Sequence, residues 1–62
     1  MNDLRYVIRR TDQSGGYVAM AGQENSYTNT IRNMRKFDSV QEANENRCEG
    51  NEIVVPLSEL IN

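Results

Sequence analysis

The run Lys36-Phe37-Asp38-Ser39-Val40-Gln41-Glu42-Ala43 constrains the fold of this chain more than any other stretch. It reads as a short basic strand that ends on an aromatic residue and turns at once into a helix. Ser39 fits the N-cap: its hydroxyl can accept from an amide in the first helical turn, and Glu42 three residues on completes the pattern of a capping box. Phe37 stands two residues before the cap, where it can fold back and anchor the helix to a sheet. The helix is expected from Val40 to about Arg47, burying Val40 and Ala43, with the aliphatic stem of Arg47 along the same side. Glu49-Gly50-Asn51 ends it, and Gly50 is placed for a left-handed cap.

The flanking segments supply strands. Leu4 to Arg10 alternates, with Leu4, Tyr6 and Ile8 on one face and Arg5, Val7 and Arg9 on the other. Thr11 to Gly16 reads as a loop closing a hairpin onto Tyr17–Ala21, because two adjacent glycines admit positive φ. Gly22 to Asn29 is too polar for a core element and reads as a surface loop. Thr28-Asn29-Thr30 can cap one helical turn through Ile31 and Met34, after which Arg35-Lys36-Phe37 extends. Glu52 to Leu57 is a nearly continuous apolar strand suited to a place between other strands or against a partner, although Pro56, which has no amide proton, puts its end at an edge. Ser58 can cap a last turn. The class that follows is α+β: one domain over residues 1–62, with an antiparallel sheet of about 3–4 strands (hairpin, short third strand, carboxy-terminal strand) packed on one short helix.

A chain of 62 residues with no Trp and a single Phe has a small core. A homodimer sharing a second apolar surface would relieve that shortage, and Val54, Leu57 and Leu60 are the candidates for the contact. Cys48 is the lone cysteine, so no intrachain disulfide framework exists and a reducing cytoplasm is the expected compartment. No apolar run approaches the length of about 18 residues that suits a membrane span, and the start of the chain does not read as a signal peptide.

The residue types that make an active site are missing or isolated. There is no His, and Cys48 has no companion, so no cofactor or metal site is expected. Cys48 follows the helix, at the end of the dipole that disfavours a thiolate, and Glu49 opposes ionisation further; it reads as a semi-buried, inert thiol. Ser14, Ser26, Ser39 and Ser58 read as turn or cap residues. Glu42, Glu45 and Glu49 read as solvated helix carboxylates, and Gly15-Gly16 as a turn rather than a phosphate cradle. An enzyme is not expected.

Charge is the remaining lead. The net charge is -2, but over residues 1–37 the basic Arg5, Arg9, Arg10, Arg32, Arg35 and Lys36 outnumber Asp3, Asp12 and Glu24, whereas Arg47 alone faces six carboxylates over residues 38–62. The basic set is the candidate binding surface. Convergence on one face would suit phosphate, RNA or an acidic protein, with Tyr6, Tyr17 and Tyr27 nearby to stack bases; a solvated strand face or pairing with the acidic half is the plainer reading, and protein–protein binding is preferred to nucleic-acid binding.

The ordering Arg5-Tyr6-Val7-Ile8, Gly16-Tyr17-Val18, Tyr27-Thr28 and Arg35-Lys36-Phe37-Asp38-Ser39-Val40-Gln41-Glu42-Ala43 resembles small proteins of unassigned function encoded by phages and prophages of Gram-positive bacteria. The resemblance extends over most of residues 4–55 and rests on strand, turn and cap positions. It implies an accessory protein that acts by occupying a partner, an unidentified protein, and assigns no activity to particular residues. Met34 departs from the pattern, in which a small residue often precedes the basic pair.

Overall fold

Val7 and Ile8 are successive residues of β1 (Tyr6–Arg10), point to opposite faces and are both fully buried, in a computed structural model that describes residues 4–12 and 15–61. Gln13 and Ser14 of the expected hairpin loop, residues 1–3 and Asn62 lie outside the described residues. The sheet therefore has a core on each side. On one face Ile8 packs with Phe37 and Ala43 of α1 (Val40–Asn46), flanked by Tyr6, Val18 and Val54. On the other, Val7 and Val55 pack with Met34 and Leu57, flanked by Tyr17, Ile31 and Leu60. The helix covers the first face. Two single 3₁₀ turns, Ile31–Asn33 and Leu57–Glu59, contribute Ile31 and Leu57 to the second.

The α+β class holds: four antiparallel strands run in the order β3-β2-β1-β4, with β2 at Tyr17–Val18, β3 at Tyr27–Thr28 and β4 at Glu52–Pro56. β1 and β4 pair over their full length, from Tyr6 opposite Pro56 to Arg10 opposite Glu52. The hairpin between β1 and β2 forms as expected, and Gly15 and Gly16 adopt φ of 64° and 92° in its loop.

Three strand expectations need correction. The polar stretch before Asn29 is not all loop, because Tyr27 and Thr28 form β3 by pairing with Val18 and Tyr17. β2 stops at Val18 instead of Ala21, since Ala19 makes only a single bridge to Met34. Met34 to Phe37 is extended but is not a strand of its own. It lies between β1 and β2: the Phe37 and Tyr6 amides each donate to the other's carbonyl at 2.9 and 2.8 Å, and the Arg35 amide donates to the Val18 carbonyl at 2.9 Å.

The helix junction forms as its residues require. Ser39 is the N-cap, its Oγ accepting from the Glu42 amide at 3.1 Å, while Glu42 Oε1 accepts from the Asp38 amide at 3.3 Å, one residue before the cap rather than at it. Phe37 is 2% exposed against Ile8 and Ala43. Gly50 takes a φ of 98° in the turn after the helix. Val40, expected to be buried, is 44% exposed, because α1 packs on β1 and β4 through Ala43 and leaves its first residue beside the sheet edge. Cys48, expected to be semi-buried, is exposed. The final turn starts at Leu57 behind Pro56, with no side-chain cap from Ser58.

Candidate functional site

The six basic residues are divided between the two faces of the sheet. Arg9 and Arg10 are neighbours on β1, so Arg9 shares the face of Val7 and Arg10 that of Ile8. Arg10 is engaged: its Nε donates to the Gly15 carbonyl at 2.7 Å, pairs with Asp12 Oδ1 at 3.1 Å, and its guanidinium stacks 3.8 Å from the Tyr27 ring centre. Lys36 Nζ donates to the carbonyls of Ile31 and Met34 at 2.7 and 3.1 Å, closing the first 3₁₀ turn. Arg35 lies over the Phe37 ring at 4.9 Å. Arg5, Arg9 and Arg32 are exposed. The candidate apolar contact is divided too: Leu57, 2% exposed, belongs to the core with Leu60 against it, and Val54 lies on the opposite face. Leu57 is thus unavailable to a partner, because the sheet's second face needs it.

A buried carboxylate was not anticipated. Glu52 is 5% exposed at the start of β4; its Oε2 accepts from the Tyr27 hydroxyl and its Oε1 from the Cys48 amide at 2.7 Å. Tyr27 reaches it from β3, passing Gly16, where an added Cβ would stand 3.3 Å from the Tyr27 Cβ. The hydrogen bond to Glu52 raises the Tyr27 pKa above its ordinary value; burial and the Glu52 charge act the same way, and the Arg10 guanidinium opposes them. The sequence signal was an acidic residue opening an apolar strand, together with an aromatic in a polar loop.

The second unanticipated feature is the outer edge of β4. In an antiparallel ladder, residues turn their backbone groups alternately toward and away from the neighbouring strand. Leu57 and Thr11 amides donate to Arg5 and Asn51 carbonyls at 3.0 and 2.8 Å, while Tyr6 and Arg10 bond away from β4, to Phe37 and Gly16. Ile53 and Val55 therefore face β1, and Glu52, Val54 and Pro56 face outward. Of these, the Glu52 carbonyl accepts from Arg47 Nη1 at 2.9 Å, and Pro56 has no N–H. Val54 presents both groups.

Beside that edge runs an open groove of about 380 Å³ between α1 and β4, walled by Tyr6, Val40, Val54 and Pro56 and reached by Ile53 and Arg47. Arg47 is held there by Asn44, whose Oδ1 accepts from its Nε at 2.9 Å. Val40, 44% exposed, is open to solvent at this margin, and Ile53, 39% exposed, is open on the other face of the same edge. The arrangement offers apolar contact and, at Val54, one position with both backbone groups turned outward, a chemistry for holding polypeptide.

Among the described residues no helix is long and apolar enough to cross a membrane, and no group of three or more His, Cys, Asp or Glu side chains is placed to hold a metal ion. Comparison of the chain with protein-family profiles, characterised proteins and solved structures found no match.

Proposed function

We propose that this chain is a non-enzymatic binding protein that takes up an extended polypeptide strand along β4. The observation that carries the reading is the open edge at Val54, with an apolar groove and the exposed Val40 on its α1 side and the exposed Ile53 on its other side. Edge addition draws affinity from main-chain hydrogen bonds and specificity from side-chain pockets next to the strand. The resemblance to phage and prophage proteins supports an accessory role, and the lone cysteine a cytoplasmic one. Nucleic-acid binding through Arg5, Arg9, Arg10, Arg32, Arg35 and Lys36 draws less support, since Arg10 and Lys36 are engaged within the chain and the set is split between faces.

The test is affinity purification from the native host with the wild type and Ile53→Lys side by side, both checked for folding by circular dichroism. The backbone of Ile53 faces β1 and its side chain stands on the face of Val55, so the substitution places a charge where an added strand would cover the edge and leaves the ladder intact. A stoichiometric protein retained by the wild type and lost by the variant is the expected result. Nucleic acid retained in a steeply salt-dependent manner, with no such protein, overturns the reading.

A further inference from the structure

Resting on that reading, we infer that the strand taken up by β4 is β4 of a second copy of this chain, paired antiparallel about a two-fold axis at Val54. The argument comes from which backbone groups the edge leaves open. With the axis at Val54, Val54 and the copy's Val54 each donate to the other's carbonyl, and Glu52 stands opposite the copy's Pro56. Pro56 brings no donor to that position. None is wanted there, because the Glu52 carbonyl already accepts from Arg47.

An unrelated strand on the same edge brings an N–H to the Glu52 carbonyl and competes with Arg47 for it. Arg47 and Pro56 thus act together as a filter that discourages ordinary strand addition, a familiar protection of exposed edges, while accepting a strand with the same pattern. Moving the axis to Ile53 sets the Val54 amide against the occupied Glu52 carbonyl. Moving it to Val55 sets Val54 opposite the copy's Pro56, leaving the Val54 carbonyl without a donor. The axis at Val54 avoids both faults.

The side chains agree with this register. Ile53, on the face of Val55, comes opposite the copy's Val55, which covers its exposed surface. On the other face Val54 meets the copy's Val54, and α1 of both copies lies on the same side of the joined sheet, so both apolar grooves adjoin the seam. A small domain with one Phe and no Trp gains apolar burial in this way without needing Leu57 or Leu60 from its own core.

Sedimentation equilibrium and amide exchange by NMR on the full chain, run over the same concentration series, test the pairing. The expected result is a dimer whose Val54 amide exchanges at least about tenfold more slowly as the dimer fills, with Ile53→Lys monomeric and still folded. Arg47→Ala, which strips the Glu52 carbonyl of its donor, should also weaken the dimer. A monomer at every concentration overturns the inference, as does a dimer whose Val54 amide exchanges at the monomer rate. Should the monomer nevertheless retain a different host protein in an Ile53-dependent way, strand uptake stands and only the second copy falls; if Ile53→Lys changes neither association nor retention, strand uptake falls too.

Discussion

The hydroxyl of Tyr27 on β3 donates to the carboxylate of Glu52 on β4, joining the two outermost strands of the sheet across the guanidinium of Arg10. Tyr27→Phe keeps the ring under Arg10 and removes this bond from a buried carboxylate, which should cost about 1.5–3 kcal/mol in urea unfolding. The bond also carries a pH signature. Because the folded-state pKa of Tyr27 is raised, its contribution is complete below the unfolded value near pH 10 and is lost as pH rises through the folded value. Wild type should therefore lose more stability than Tyr27→Phe in titrations across the alkaline range.

Phe37 is the residue through which helix, sheet and the Met34–Phe37 segment meet. Phe37→Ala should cost about 3–5 kcal/mol, enough to unfold much of the population of so small a domain. A melting curve that scarcely moves would contradict its burial.

Ser39→Ala removes the acceptor for the Glu42 amide and should cost about 1 kcal/mol, with the loss seen first in helicity by circular dichroism. Ser58→Ala, at a turn with no side-chain cap, should leave the melting temperature close to that of wild type.

Gly16 is required twice over, by its φ of 92° and by the Tyr27 side chain that crosses it. Gly16→Ala should destabilise by about 1–2 kcal/mol through the backbone alone. Gly15, with φ of 64° and open space where a Cβ would go, should accept Asn with a much smaller loss in the same denaturant titration.

The difference between what was legible and what was not follows the range of the interactions. Ser39, Glu42 and Gly50 serve requirements set within a few residues, and a cap or a left-handed turn is written in local residue type. β3 was hidden because Tyr27 and Thr28 become a strand by pairing with Val18 and Tyr17 amid polar neighbours. The burial of Glu52 depends on a hydroxyl 25 positions away. Val40 has the periodicity of a buried residue, but helical spacing says which residues share a side and not where the sheet beneath them ends. The groove that carries the functional reading arises from that overhang, so no single stretch of sequence announces it.

The Met34–Phe37 segment, inserted between β1 and β2, has a consequence for how the chain can be divided. Among the described residues the two strands of the hairpin pair at Arg9 and Tyr17, with the Arg10 amide donating to the Gly16 carbonyl beside them, and the Tyr6 backbone finds its partner in Phe37, far along the chain. A peptide ending before Met34 would lack the piece that bridges its two strands and would have no reason to hold their register. A cut in the intervening loop, by contrast, leaves two fragments that each carry half of the missing bonds. Mixed, those fragments should recover the native fold that neither can reach alone.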